Sequence, residues 1–281
     1  MDACFGKPMA DASFTDVRLR RIASRQNAKV KQLRQRFRLA VPSQAGNVAI
    51  EGMHLIEEAI RSGISPRTVF FSESAAHDRA HKLIPQLPAK TEILLLPDEV
   101  FASAVPTETP QGVAALVNVR SFSLDGVVRS QPALIVVAAG LQDPGNLGTI
   151  ARSAEAFGAT GLLLSERTVS PWNWKAVRAS AGSLFRLPTV KVDLNQAVHQ
   201  MKERGVRVLA TSSHKGTLIS EVDLAGPVAL VVGNEGAGIP KDALSQADEI
   251  VAIPQSPRVE SLNAGIAASV ILYEAARQRM R

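Results

Sequence analysis

Cysteine is almost missing from this chain: one thiol, Cys4, stands among 281 residues. No internal disulfide can form, and a position so near the terminus marks Cys4 as incidental rather than catalytic. His and Cys residues do not gather at ligand spacing, so no metal site is expected. No apolar stretch nears the roughly 20 residues of a membrane span. The longest are strand-length and bounded by Gly or Pro. The opening residues MDACFGKPMADASF are too mixed for a secretory core. Together these absences lead to the expectation of a soluble, cytoplasmic protein with no membrane partner. Internal repeats and low-complexity tracts are lacking as well.

A local absence is more informative. Between Arg18 and Arg38 there is no acidic residue, while Arg18, Arg20, Arg21, Arg25, Lys29, Lys31, Arg34, Arg36 and Arg38 fall there. The whole chain carries only +6, so the remainder is net acidic and one end holds the basic field. Nucleic-acid phosphates are the commonest target of such a field. Arg25, Lys29, Lys31 and Arg34 are the expected nucleic-acid contacts. A solvated helix face is the alternative.

What is present reads as two α/β units. Residues 1–20 are expected to be a flexible tail. SRQNAKVKQLRQRFRLA (24–40) predicts a basic helix with Val30, Leu33 and Phe37 as its apolar stripe. A strand from Asn47, a helix over 54–62, and strands at 68–72, 92–96 and 112–119 complete a smaller domain over 21–120. SFSLDGVVRSQ (121–131) lacks a period and is expected to be a linker. From 132 to 281 the pattern lengthens. Strands are expected at 134–139, 161–165, 206–211, 228–233 and 249–254. Helices are expected at 146–157, 173–183, 194–204 and 261–279. Near-continuous apolar strands between helices predict a parallel sheet covered on both faces.

Ligands of such sheets bind beyond the strands' C-terminal ends, and three loops there are rich in chemistry. The first is DPGNLG, opening a helix that carries Arg152. Asn146 is placed to cap that helix, with Ile150, Ala154 and Phe157 on one face and Arg152 pointing away from it. The second, VVGNEGAGIP (231–240), has glycines spaced G-x-x-G-x-G rather than G-x-G-x-x-G. Its Glu235 would repel a phosphate, which argues against a nucleotide-phosphate cradle. No G-x-G-x-x-G with a later acidic partner exists, so a nicotinamide-dependent oxidoreductase is disfavoured. The third, IPQSPRVESLNAGIAASVILYEAARQ (253–278), offers Ser261 as N-cap, Asn263 in the first turn, and an apolar face of Leu262, Ile266, Ala267, Val270 and Ile271. Trp172 and Trp174 suit packing better than base stacking.

In sequence, order and spacing the three loops resemble the SpoU (TrmH-type) RNA 2′-O-ribose methyltransferases of the SPOUT superfamily. The resemblance covers about 131–281. More loosely, VKQLRQR, EGMHLIEEAI and TPQG resemble the substrate-binding domain that precedes the catalytic domain in many members, a ribosomal-protein-like α/β fold. The resemblance implies a trefoil-knotted C-terminal domain, a homodimer with the site at the subunit interface, and S-adenosylmethionine as cofactor. It makes Gly233, Ile253, Leu262 and Thr211 cofactor contacts, Arg152 the catalytic arginine, and Asn146, Glu235, Ser261 and Asn263 its polar companions. It implies methyl transfer to a ribose 2′-hydroxyl of structured RNA. The separate basic domain favours ribosomal RNA. Transfer RNA, or RNA binding without catalysis, is the alternative. Arginine is effectively always protonated, so Arg152 is expected to orient a phosphate and favour alkoxide charge, with the general base left open. Pro257 stands where the family often has Gly, which implies a different path for the third loop.

Overall fold

The computed structural model describes residues 18–213, 215–256 and 258–280. Cys4, the expected tail through residue 17, and Pro257 lie outside the described residues. The end expected for that tail, 18–20, runs instead into a strand.

The first unit comprises β1 (Leu19–Arg21), α1 (Ala28–Leu39), β2 (Asn47–Glu51), α2 (Met53–Arg61), β3 (Pro66–Ser72), α3 (Glu73–Leu83), β4 (Glu92–Leu96), α4 (Asp98–Ala102) and β5 (Val113–Asn118). Its sheet runs β1-β4-β3-β5-β2. It is mixed, since β5 is antiparallel to both β2 and β3. Helix α1 starts at residue 28 because the Asn27 side chain accepts from Lys29 N, a turn-favouring cap. Val30, Leu33 and Phe37 are buried, as their spacing requires. Helix α3 has no counterpart in the elements expected from the sequence. Only Ala80 and Leu83 of it are buried, so ESAAHDRAHKL carries almost no apolar period.

Between the units, α5 (Leu124–Arg129) corrects the reading of 121–131 as an aperiodic linker. Ser123 caps it, and Val127 and Val128 are buried. A six-residue helix is too short to display a period. The packing is tight enough that a Cβ on Gly161 would lie 2.4 Å from Val127 Cγ1.

The second unit holds β6 (Leu134–Ala139), α6 (Pro144–Ala156), β7 (Gly161–Ser165), α7 (Trp174–Ala179), β8 (Thr189–Val192), α8 (Leu194–Glu203), β9 (Arg207–Ser212), β10 (Thr217–Leu218), β11 (Val228–Gly233), α9 (Lys241–Ser245), β12 (Glu249–Ala252) and α10 (Ala264–Arg279). Its seven strands run β10-β12-β9-β11-β6-β7-β8, all parallel. Strands β6 and β7 are buried at every position, as expected for a sheet covered on both sides. The helix expected over 173–183 stops at Ala179, because Ala181 and Gly182 take positive φ. Helix α10 begins at 264, not 261. At its far end Arg279 donates to the carbonyls of Pro132, Ala133, Leu224 and Gly226, pinning the last turn to the strand starts.

The units share one buried apolar cluster, running from Val48, Ile50 and Ile56 to Val177 and Leu184. Arg186 adds a polar tie. It donates to Glu58 Oε2 at 2.8 Å and to Ser62 Oγ at 3.1 Å on one side, and to both Glu155 oxygens on the other. Ser170 Oγ donates to the Ala40 carbonyl. Trp172 stacks on Phe185 with centroids 6.5 Å apart. Trp174 packs against the core beneath α1. Trp172 is thus a packing residue, while Trp174 packs in part and also lines a cleft between the units.

Candidate active site

The three loops converge at the C-terminal ends of β6, β9, β11 and β12. After β6 the chain turns at Gly140 (φ 77°). There its N–H donates to Ser165 Oγ and Thr168 Oγ1, and its carbonyl accepts from Asn234 Nδ2 at 3.1 Å. The first two loops are thus tied directly.

Asp143, rather than Asn146, caps α6: its Oδ1 accepts from Asn146 N at 2.7 Å. Pro144 at the first helical position shifts the start two residues earlier than expected. The Asn146 side chain is thereby freed. Its Nδ2 donates to Glu235 Oε1 at 2.5 Å, and its Oδ1 accepts from Asn263 Nδ2 at 2.8 Å. Asn263 Oδ1 accepts in turn from Gly265 N and Ile266 N, which makes Asn263, not Ser261, the cap of α10. One line of hydrogen bonds, Asn263 to Asn146 to Glu235, thus joins all three loops.

The second loop folds on itself. Asn234 bridges Gly238 in antiparallel fashion, and its Oδ1 accepts from Gly236 N and Ala237 N. A Cβ on Gly233 would lie 2.5 Å from the Gly238 carbonyl carbon, so only glycine allows this approach. Beside this loop opens a cleft of about 1530 Å³, its solvent-filled mouth included, lined by Thr211, Gly233, Glu235, Ile253, Ser261 and Leu262 among others. All four expected cofactor contacts therefore share one cleft. The Thr211 hydroxyl is committed to the Val231 carbonyl at 3.0 Å, so it shapes the wall.

Sequence reasoning missed Gln255. Its Nε2 donates to the Ser213 carbonyl, while its Oε1 is buried without a partner and the residue lines the cleft. A buried acceptor left unpaired costs about 1–3 kcal/mol, so it points to a ligand donor. With apolar walls of Ile239, Ile250, Ile253 and Leu262, the residues fit S-adenosylmethionine, which has an apolar-faced base and amino groups to donate. Asn234 was missed too. Its place within the expected second loop was the available signal.

Arg152 stands apart. It is exposed and makes no hydrogen bond or ion pair among the described residues. It lies six residues beyond Asn146 on α6, roughly 9 Å along the axis. Glu235, which the resemblance makes a companion of Arg152, contacts Asn146 instead. Ser261 is exposed at the cleft and makes no side-chain hydrogen bond among the described residues.

The expected RNA contacts on α1 are mostly used within the chain. Arg25 pairs with Glu99 at 3.2 Å and Lys29 with Glu92 at 2.6 Å. Arg34 donates to the carbonyl and hydroxyl of Ser103. Arg20 and Arg21 pair with Glu92 and Glu73. Like charges in sequence find acidic partners from distant strands and helices. On α1, Lys31, Arg36 and Arg38 alone among the basic residues make no side-chain hydrogen bond or ion pair among the described residues.

Comparison with known proteins identifies the family. The model of the SpoU rRNA Methylase family matches residues 133–273, and that of the MRM3-like substrate binding domain matches 27–115. The chain belongs to the SpoU methylase family. It is 36% identical to an uncharacterized tRNA/rRNA methyltransferase of Synechocystis sp., covering 92% of this chain and 94% of that one. It is 32% identical to the 23S rRNA (guanosine(2553)-2′-O)-methyltransferase RlmP of Bacillus subtilis, over 91% and 98%. Among solved structures it resembles the SpoU methyltransferase AviRb of Streptomyces viridochromogenes in complex with AdoMet, at TM-score 0.78, 30% identity and 91% and 99% coverage.

Proposed function

We propose that this protein transfers a methyl group from S-adenosylmethionine to a ribose 2′-hydroxyl of ribosomal RNA. The observation that carries the reading is the Asn263–Asn146–Glu235 line at the cleft that gathers Gly233, Ile253, Leu262 and Thr211. It fixes the helix bearing Arg152 relative to the cofactor cleft. Bound there, the cofactor supplies an electrophilic methyl group. Gly233 brings backbone close to it, Ile253 and Leu262 cover its base, and the Gln255 acceptor takes an amino group.

The chain's own task is to make a poor nucleophile attack. The Arg152 guanidinium, free of protein partners among the described residues, grips the phosphate beside the target ribose and favours alkoxide charge as the proton leaves. Ser261, also free, holds the nucleotide. Asn146 is engaged by Glu235 and Asn263, and Asn263 by Asn146 and the helix N-terminus, so the two act as the joint that keeps the loops in register. Glu235 belongs to that joint and lines the cleft, where its carboxylate would favour the cofactor's positive charge.

The reading extends to the assembly. Residues 21–120 form the RNA-binding domain, of a ribosomal-protein-like fold, and 132–281 the catalytic domain. In the latter, the segment after β12 threads beneath the loop after β11 as a trefoil knot. The catalytic domains pair through the exposed strip Ile266, Val270 and Tyr273 of α10. This strip corrects the single apolar face expected for α10, whose other side, with Ala268, Ile271 and Leu272, is the buried one. Ribosomal RNA as substrate rests on the family model and on the relative named for 23S rRNA, and it implies work in the cytoplasm. No helix among the described residues is long and apolar enough to cross a membrane.

The test offers tritiated S-adenosylmethionine with 23S rRNA transcripts and, separately, with a transfer-RNA pool, and maps the methylated ribose. Label in 23S rRNA is expected. Label confined to transfer RNA would reassign the substrate. Folded protein that fails to bind the cofactor in calorimetry would end the methyltransferase reading.

A further inference from the structure

A second cleft opens between the two units, on the far side of α7 from α6. It encloses about 660 Å³ with its mouth and shares no lining residue with the cofactor cleft. One wall is Ile50, Glu51, His54 and Leu55 of the first unit. The opposite wall is Trp174, Val177 and Arg178 of α7. Gln111 and Thr107 close one end.

The chemistry of these residues is specific. Trp174 and Arg178 are four apart on one helix, so the indole and the guanidinium lie side by side. The Lys175 ammonium lies over the Trp174 ring, 5.5 Å from its centroid, a cation beside the indole that a stacking base would displace toward its own phosphate. Arg178, His54 and the Gln111 side-chain amide make no hydrogen bond among the described residues, so a cation, an imidazole and an amide are all available. The one carboxylate is already occupied. Glu51 accepts from Thr107 Oγ1 with both oxygens and from Gln111 N with Oε1. The cleft therefore presents an aromatic ring, a free amide and a guanidinium without a partner among the described residues.

We infer that this cleft binds one unpaired nucleotide of the RNA that flanks the methylated one, its base against Trp174 and its phosphate at Arg178. The inference rests on the methyltransferase reading above. RNA is read in this way: unstacked bases lie on aromatic rings and meet side-chain amides at their edges, while guanidinium groups take the phosphate. The nucleotide is a flanking one because the methyl donor's cleft lies elsewhere. The two sites are nonetheless mechanically joined. Helix α7 sits on α6 so closely that a Cβ on Gly148 would lie 2.5 Å from the Ala176 carbonyl oxygen and from Ala179 Cβ. Helix α6 bears Arg152. The cleft is also preformed, because the Arg186 bridge between Glu58 and Glu155 and the Ser170–Ala40 bond hold its walls together. A strand pinned here reaches the catalytic helix in a fixed register.

The chain has two tryptophans, so Trp172→Phe, a ring kept on Phe185, leaves Trp174 as the sole indole. In that variant, full-length protein is titrated with single-stranded penta-adenylate while Trp174 fluorescence is recorded. Saturable quenching is expected, together with little response to a base-paired RNA of equal length. Adding Arg178→Gln should weaken the midpoint about tenfold or more, the range for one stacked or charged nucleotide. Absence of quenching by the single strand, equal quenching by the duplex, or a midpoint unmoved by Arg178→Gln would overturn the inference. Calorimetric binding of S-adenosylmethionine, measured on the same variants, keeps the two readings apart: cofactor binding without quenching defeats the cleft alone. Loss of cofactor binding in every variant would defeat the enzyme reading, whatever the fluorescence does.

Discussion

At the scale of single residues, the candidate site divides into groups that are spent and groups that are free. Asn146, Glu235 and Asn263 are bound to one another; Arg152 and Ser261 have no protein partner among the described residues. A group that engages the RNA directly should belong to the second kind, since a side chain already bound within the protein must give up that partner before it can bind the substrate. Replacing Arg152 with Ala should therefore lower single-turnover methyl transfer by about 10²–10³, or roughly 3–4 kcal/mol. The melting temperature should barely move, because an exposed side chain away from caps and core usually contributes within about 0.5 kcal/mol. Arg152→Lys should fail as well, for an ammonium cannot supply the planar fork. Turnover near that of the unmodified protein would return this arginine to a solvated surface. The residue types of the site were legible in the sequence, but their bonds were not. Asn146 reads as a cap because Asn favours that position, and only the chain folded in space reveals that Asp143 has taken the cap and released it.

At the scale of elements, what the sequence revealed follows the strength of its period. Fully apolar strands such as LIVVAA and the stripe of Val30, Leu33 and Phe37 were legible. Short or weakly amphipathic pieces, namely α3, α4, α5, α9 and the edge strands β1, β8 and β10, were not, because few of their side chains are buried or the run is too short to repeat. Charge misled in a related way. Helix α1 looks uniformly basic along the chain, yet Glu92 and Glu99 arrive from β4 and α4 to neutralise Lys29 and Arg25. Exposed ion pairs of this kind contribute about 0–1 kcal/mol, but they do redirect where phosphate can dock. Lys31, Arg36 and Arg38 remain. Changing these three to Gln should reduce the slope of log affinity against log salt by about 0.7–0.9 for each phosphate no longer neutralised. The set Arg25, Lys29 and Arg34 should change it less. Binding isotherms on one RNA across a salt series check this, and equal slopes for the two sets would mean that the internal pairs open freely to RNA.

At the scale of the whole molecule, one surface carries the proposed pairing of catalytic domains and another joins the two units. On α10, Ile266, Val270 and Tyr273 are 54%, 40% and 57% exposed, a strip of large apolar groups that water disfavours. Val270→Asp should convert a dimer to monomer in analytical ultracentrifugation and reduce methyl transfer with it. A monomeric unmodified protein would remove the assembly proposed for the strip. The other surface is the junction of the two units, where Arg186 stands between Glu58 and Glu155. Arg186 holds the Glu58 carboxyl below its ordinary range, chiefly by its hydrogen bond and with Arg61 assisting. Burial pushes Glu155 upward, yet the Arg186 and Ser183 hydrogen bonds prevail and its net shift is downward. Carboxyls depressed in the folded state add stability at pH values above their unfolded pKa, near 4.3, and lose it as pH falls through the folded value. The junction should therefore be fully tied at neutral pH and should loosen below about pH 4. Arg186→Gln should lower unfolding free energy by about 1–2 kcal/mol at pH 7, a figure discounted because the guanidinium is partly exposed. That gap should shrink steadily between about pH 5 and 3, as the unmodified protein loses the same contribution by protonation. Urea denaturation of both proteins across that range measures it. A gap that stays constant with pH would show that Arg186 stabilises by packing rather than by its charge on these two carboxylates.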